Sequence, residues 1–274
     1  MVPDHSVIYK KVTDTEQEKV ALKLHIFEPE GHKQSDRRPV IVFFFGGGWT
    51  GGAPDQFYPH SRYFASRGIV AISAEYRVAS RHGTSPRACV QDGKSAIRWI
   101  RGHAEKLGID PDKVIAGGGS AGGHVAAATA TLKRFNEEGE NLDISCRPQA
   151  LVLFNPVFDT GPEGFAYDRV QEYWHDFSPM HNIDEHTPPT VVFLGTKDKL
   201  IPTTTAEKYK KLVMDKGQRC DLHLYEGQAH GFFNFKNHEN YVETVIEADK
   251  FLVSLGYLEG EPTLQSGQDT SPAV

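Results

Sequence analysis

The chain has 274 residues, of which 30 are Lys or Arg and 36 are Asp or Glu, so its formal net charge is −6. Because there is no basic excess to neutralise phosphates, the composition argues against a nucleic-acid-binding protein. Hydrophobic residues make up 39% of the chain and charged residues 24%, which is typical of a soluble globular protein. A chain of this length is compatible with one α/β domain.

The first predicted element is a β-hairpin, because residues 7–12 and 20–27 alternate apolar and polar side chains around a polar turn. The run 39–45 is apolar on both faces, as in a central parallel strand that helices cover. A strand, loop and helix pattern then repeats, which indicates a mostly parallel sheet with right-handed crossovers. The remaining predicted strands are 69–74, 113–117, 149–155, 190–195 and 220–225, and the predicted helices are 55–67, 86–106, 120–136, 203–217 and 239–255.

Two stretches do not follow this alternation of strands and helices. Residues 157–188 form a long connection that is rich in aromatic residues, and a connection of that length is usually functional. Residues 259–274 are polar, with Gly, Pro and Ser, as in a flexible tail. We therefore predict one domain over 1–258, with 157–188 as an insert in it.

The ends and the cysteines bear on location. Residues 1–5 lack the basic and apolar segments of a signal peptide, and the apolar run 40–45 is too short to span a bilayer. The three cysteines, Cys89, Cys146 and Cys220, are too widely spaced for a disulfide framework or a zinc site. We expect buried thiols in a cytoplasmic protein, unless a leader was removed.

A Gly-x-Ser-x-Gly motif at 118–122 follows a predicted strand and opens an Ala-rich helix. In that context Ser120 occupies a tight turn, and the helix N-terminus favours negative charge developing next to it. The alternative is a dinucleotide-binding loop, which would belong to the first βα unit, with an acidic residue about 20 positions later. Neither feature is present, so we interpret Ser120 as a nucleophile.

A serine nucleophile needs a base. In proteins with this motif, the chain order is the serine, then an Asp or Glu, then the histidine. Asp198 lies just past the predicted strand 190–195, and His230 lies in the loop after the predicted strand 220–225. Asp215 and Asp221 are discounted, because they lie within a helix and a strand. Most other histidines, such as His60, are expected at the surface, whereas His124 in the nucleophile helix is expected to pack.

Three consecutive glycines, 46–48, end the strand 39–45 and allow a substrate oxygen to approach backbone N–H groups closely. We predict that the N–H groups of Gly47, Gly48 and Ala121 form an oxyanion hole.

These motifs together resemble the bacterial hormone-sensitive-lipase-like esterases, within the α/β-hydrolase group that includes acetyl esterases and kynurenine formamidase-like proteins. The resemblance implies an α/β-hydrolase fold, with a mostly parallel sheet of about eight strands, helices on both faces and a short aromatic insert as a cap. It also implies a carboxylesterase or acetyl esterase. The matching segments are 46–49, 75–77, Asp92 with Ala96 and Trp99, 109–111, 118–124, Asp198 and 230–232.

Three departures from the family pattern are visible. Phe45 stands where the family usually has a histidine that braces the oxyanion loop, so the bracing must differ here. Gly119 replaces a common Asp or Glu, and a hairpin replaces the N-terminal helical cap. The chain is thus more similar to compact carbohydrate-acetyl or aryl-ester hydrolases.

Without an N-terminal cap, the insert 157–188 is the expected pocket wall. An equal alternative is that its aromatic residues only fasten the insert to the body. Arg77 and Asp92 are expected to form a structural ion pair. The predicted substrate contacts are Trp49, Gln56, Phe57, Tyr173 and Trp174.

The sequence predicts a serine carboxylic-ester hydrolase that acts on short-acyl, acetyl-like esters of carbohydrate or aryl alcohols through an acyl-Ser120 intermediate. No cofactor and no metal are expected. The partners should be a small-molecule ester, without nucleic acid or membrane, and the protein a monomer or homodimer. The alternatives are an amidase or formamidase with the same triad, or a catalytically silent binding protein.

Overall fold

An eight-stranded sheet runs through the protein in the computed structural model, which describes residues 1–13 and 18–264. Its strands are β1 (His5–Thr13), β2 (Lys19–Phe27), β3 (Arg38–Phe44), β4 (Val70–Ala74), β5 (Ile109–Gly119), β6 (Ala150–Phe154), β7 (Thr190–Gly195) and β8 (Cys220–Tyr225). They lie in the order β1-β2-β4-β3-β5-β6-β7-β8. Only β1 with β2 and β2 with β4 pair antiparallel among the described strands; the other neighbours are parallel. The mostly parallel α/β sheet and the hairpin are as predicted.

The middle strands are buried on both faces because helices cover the sheet on each side. Every residue of β6 and β7 is buried, and in β3 burial is continuous from Val40 onward. The predicted strands are all present within a few residues. The largest difference is β5, which begins at Ile109 rather than 113, because Ile109 pairs with Arg38 before a register shift leads into the main ladder.

The helices are α1 (Tyr58–Ser66), α2 (Ala79–His82), α3 (Pro86–Gly102), α4 (Ala121–Thr131), α5 (Tyr167–Val170), α6 (Trp174–Phe177), α7 (Thr203–Asp215) and α8 (His238–Ser254), with 3₁₀ turns at Pro54–Phe57 and Pro179–Asn182. Five long helices were predicted, and all five are present, as α1, α3, α4, α7 and α8. The first prediction, 55–67, is divided into a 3₁₀ turn and α1, and the short α2 was not predicted.

The end of α4 was predicted at 136, which is wrong. The backbone becomes extended at Leu132, with φ −83° and ψ 126°. The buried ammonium of Lys94 donates to the carbonyl of Leu132 at 2.6 Å and also to that of Arg134. Carbonyls that have lost helical partners are thereby satisfied. Desolvation by burial lowers the pKa of Lys94 to about 8.

The insert 157–188 contains α5, α6 and the second 3₁₀ turn. Phe158 and Phe177 are fully buried and anchor it. Phe158 stacks on Tyr209 of α7 at 3.7 Å, and Phe177 packs against His124 of α4 at 4.4 Å. These two rings therefore fasten the insert to the body. The domain bounds of 1–258 stay a prediction, and residues 265–274 of the predicted tail lie outside the described residues.

The predicted ion pair is present: Arg77 Nη2 donates to Asp92 Oδ1 at 2.7 Å. Lys10 Nζ also lies 2.7 Å from this oxygen, so β1 is tied to α3 through a carboxylate that is 0% exposed. Cys89 and Cys220 are buried as predicted, but Cys146 is partly exposed, which corrects the third prediction. Within 1–13 and 18–264, no helix is long and apolar enough to cross a membrane.

Candidate active site

Ser120 occupies the turn between β5 and α4, with φ 54° and ψ −121°. A positive φ is strained for a residue with a side chain, and such strain persists where the surroundings enforce it. Here they do, because strand and helix approach very closely. A Cβ on Gly122 would lie 2.1 Å from the Phe44 carbonyl oxygen, and one on Gly118 would lie 2.5 Å from Gly122. The glycines of the motif are therefore required, and the serine is left partly exposed.

Gly119, one of the departures from the family pattern, has a steric cause. A Cβ there would lie 2.4 Å from the Phe233 ring. Phe233 follows the His230 loop and is held by rings of Phe57 and Phe154 at 5.7 and 4.9 Å. An Asp or Glu at position 119 would have to displace this packed ring.

The three residues predicted from the sequence lie in one chain of hydrogen bonds. Ser120 Oγ is 2.8 Å from His230 Nε2, and His230 Nδ1 is 2.7 Å from Asp198 Oδ2. The other oxygen of Asp198 accepts the N–H groups of Leu200 and Ile201 at 2.8 and 3.0 Å. The Asp198 side chain is fully buried and that of His230 is 22% exposed.

This arrangement favours one tautomer of the imidazole. The Asp198 carboxylate can only accept, so Nδ1 carries the proton and Nε2 is free to accept the Ser120 hydroxyl proton. The discounted acids are engaged elsewhere: Asp215 pairs with Lys211 and Asp221 with Arg219.

The loop after β3 presents backbone N–H groups beside Ser120. Gly47 and Gly48 have φ of 132° and 61°, values that favour glycine. Within the described part of the chain, the N–H groups of Gly47, Gly48 and Ala121 donate to no protein acceptor. The Gly46 N–H is occupied instead, since it donates to Gln56 Oε1 at 2.6 Å. The three predicted oxyanion donors are therefore free to receive an oxygen.

Two family models match the chain: BD-FAE over residues 24–159 and the dienelactone hydrolase family over 170–251. The solved structure of Thermogutta terrifontis esterase 2 phosphorylated by paraoxon is 44% identical, with 94% of this chain and 96% of that chain covered and a TM-score of 0.88. The chain belongs to the α/β-hydrolase carboxylesterases.

More distant relatives are also esterases. The probable carboxylic ester hydrolase LipM of Mycobacterium tuberculosis is 27% identical, with 86% of this chain and 58% of LipM covered. The acetylxylan esterase of Xylanibacter ruminicola is 26% identical over 70% of this chain, which spans 41% of it. The chain thus spans about half the length of these curated relatives.

Two of the predicted substrate contacts in this esterase chain need correction. Trp49 and Phe57 are 0% exposed, so neither side chain can touch a ligand in this conformation. The loop folds inward at Trp49, whose ring packs against His124 at 5.0 Å, and Phe57 stacks on Phe43 at 4.9 Å. Gln56 is partly exposed and accepts the Gly46 N–H, and its contact with substrate stays a prediction.

The other two predicted contacts lie in the insert and are partly exposed. The Arg87 guanidinium lies 3.8 Å above the Tyr173 ring, beside a surface cavity of about 420 Å³. Trp174 packs against His181 at 5.1 Å. Contact of Tyr173 and Trp174 with substrate stays a prediction.

Arg169 of the insert was not predicted from the sequence. Its guanidinium donates to the Gly48 carbonyl at 2.7 Å and lies 5.5 Å from the Trp49 ring. The insert therefore holds the oxyanion loop directly. No sequence signal marks this residue, because the contact joins positions 121 residues apart.

His60 was expected at the surface but is fully buried among aromatic rings, and desolvation lowers its pKa to about 3. The prediction for His124 is confirmed: it is buried, and its Nε2 is 2.9 Å from the Phe177 carbonyl oxygen. Desolvation lowers the pKa of His124 to about 4. Both rings stay neutral near pH 7, which makes them packing residues.

Proposed function

We propose that the chain hydrolyses carboxylic esters with short acyl groups through an acyl-Ser120 intermediate. The observation that carries the proposal is the chain of hydrogen bonds from Ser120 through His230 to Asp198. The unoccupied N–H groups of the oxyanion loop support it further. In this proposal Ser120 is the nucleophile, His230 the base and Asp198 the group that orients the imidazole.

In the first step, Ser120 Oγ bonds to the ester carbonyl carbon while His230 Nε2 takes the hydroxyl proton. The carbonyl oxygen becomes an oxyanion that accepts from the N–H groups of Gly47, Gly48 and Ala121. When the C–O bond to the alcohol breaks, Nε2 returns the proton to the leaving oxygen. Water then attacks the acyl-enzyme with help from the same base, which releases the acid and regenerates Ser120.

The short acyl group is supported by relatives. Structures of Thermogutta terrifontis esterase 2 described as propionate bound and butyrate bound are 43% and 42% identical to this chain, both with a TM-score of 0.87. The acetylxylan esterase relative supports an acetyl group on a carbohydrate. We propose acetyl to butyryl esters of carbohydrate or aryl alcohols as the substrate class.

The test compares hydrolysis of p-nitrophenyl acetate, butyrate and octanoate, together with acetanilide. Wild type should favour the two short esters, and Ser120→Ala should lose about 10⁴-fold or more in kcat. Ser6→Ala is the matched control, since Ser6 is an exposed serine on β1. No ester turnover by wild type would contradict the proposal, and efficient acetanilide cleavage would favour the amidase alternative.

A further inference from the structure

Two carboxamide side chains bridge the oxyanion loop and the loop that carries His230. Gln56 accepts the Gly46 N–H through Oε1 at 2.6 Å and donates through Nε2 to Asn234 Oδ1 at 2.8 Å. Asn234 in turn donates through Nδ2 to the Gly231 carbonyl at 2.7 Å. The bridge thus runs from the residue after Phe45 to the residue after His230, between side chains 178 positions apart in sequence.

The ends of the bridge determine its direction. The Gly46 N–H can only donate and the Gly231 carbonyl can only accept, and each carboxamide has one acceptor and one donor end. Gln56 must therefore present its oxygen to Gly46, and Asn234 must present its nitrogen to Gly231. All three bonds run in the same sense, an arrangement in which neighbouring hydrogen bonds strengthen one another. A carboxylate at either position cannot reproduce it.

A third carboxamide holds the other side of the His230 loop. Asn155, fully buried just after β6, accepts the Gly231 N–H at 2.8 Å through Oδ1. That N–H belongs to the peptide directly after His230. Phe154, the residue before Asn155, holds the turn at Ser120, because the Ser120 N–H donates to the Phe154 carbonyl at 3.0 Å. The loop that carries His230 is therefore hydrogen-bonded on one side to the residues after β6, which also hold the turn at Ser120, and on the other side to the oxyanion loop.

We propose that Gln56 and Asn234 are positioning residues that set the oxyanion N–H groups relative to the His230 ring. The inference rests on the proposed function and deepens it. Acyl transfer needs the carbonyl oxygen in the hole while Nε2 faces Ser120, so a small change in spacing lowers kcat without removing any reacting group. In this chain Phe45 stands where the family usually has a bracing histidine, and Gln56 braces the loop instead, through the N–H of the next residue, Gly46.

The test is a double-mutant cycle with Gln56→Met and Asn234→Leu, which keep approximate volume and remove the bonds. Active sites are counted by titration with paraoxon, so kcat refers only to reactive Ser120. We expect each single variant to lose between about tenfold and about a hundredfold in kcat, with KM nearly unchanged. The kcat of the double variant should be no lower than that of the less active single variant, because both substitutions break the same bridge.

Asn240→Leu is the matched control: among the described residues, the Asn240 side-chain amide has one hydrogen bond, to Gln228 at 3.3 Å, so the variant should keep wild-type kcat. Should Asn234→Leu fail to fold, Asn234→Asp replaces it: the carboxylate still accepts from Gln56 and cannot donate to Gly231. Single variants within twofold of wild type, or losses that multiply in the double variant, would overturn the bridge and leave the proposed function standing. An inactive wild type would overturn both.

Discussion

Replacing Asp198 by Asn changes one atom and tests the tautomer that the site depends on. Oδ1 of Asp198 accepts two backbone N–H groups, from Leu200 and Ile201. In Asp198→Asn the amide oxygen keeps those two bonds, which directs the NH₂ group at His230 Nδ1, now 2.7 Å from the carboxylate. Two donors cannot face each other, so Nδ1 gives up its proton and Nε2 carries it instead. Because Nε2 then already carries a proton, it cannot accept the hydroxyl proton of Ser120.

Loss of the correct tautomer costs about 10⁴-fold in kcat in the general Ser-His-Asp system, or about 5.5 kcal/mol in the activation free energy. We expect the same order here, because the hydrogen bonds are of the same kind. The assay is steady-state hydrolysis of p-nitrophenyl acetate near pH 7, with the melting temperature measured alongside. The melting temperature should change little, since the amide keeps both backbone bonds.

A folded Asp198→Asn variant with more than a tenth of wild-type kcat would contradict the role of Asp198 in fixing the His230 tautomer. Asp221→Asn is the matched control. It removes a carboxylate near the start of β8 that pairs with Arg219, and it should leave kcat unchanged.

Three further predictions concern the turn, the insert and acid stability. Gly122→Ala places a Cβ 2.1 Å from the Phe44 carbonyl oxygen and should lower the free energy of unfolding, measured in urea, by about 1–3 kcal/mol or more. Gly102→Ala is the control: the atom nearest to its Cβ is 3.4 Å away, so the free energy of unfolding should change far less. Arg169→Met removes the bond to the Gly48 carbonyl and should lower kcat about tenfold, while Arg134→Met, at an exposed ion pair, should not; equal rates would contradict the role of the insert. Burial lowers the pKa of His60 to about 3 and of His124 to about 4, from 6.5 in the unfolded chain. The unfolded state therefore binds more protons below pH 6.5, so the free energy of unfolding should fall as the pH is lowered toward 4, by up to about 1.4 kcal/mol per pH unit for each histidine. His60→Phe should reduce that slope, and an unchanged slope would contradict it.

The fold and the three reacting side chains could be predicted because their signals are local. Ser120, Asp198 and His230 each come within a few residues of the end of a predicted strand, and the carboxyl ends of neighbouring parallel strands meet at one edge of a sheet. The strands themselves are recognisable because burial on both faces requires apolar runs such as 40–45.

The supporting contacts could not be predicted, since they depend on how loops fold back. Trp49 and Phe57 look like exposed loop residues, yet both turn into the core. Gln56 meets Asn234, and Arg169 meets Gly48, across separations that no periodicity records. His60 has the polar residues Ser61 and Arg62 directly after it in sequence, but the face of α1 that carries it packs against the sheet.

The assignment of Ser120 as the nucleophile can be tested by the reaction of the protein with paraoxon, followed by intact-protein and peptide mass spectrometry. We expect one diethylphosphoryl group per chain, located on Ser120, with ester turnover lost in proportion to the label and no label on Ser120→Ala. A label on another residue, or full turnover of p-nitrophenyl acetate by the labelled protein, would contradict the assignment of Ser120 as the nucleophile.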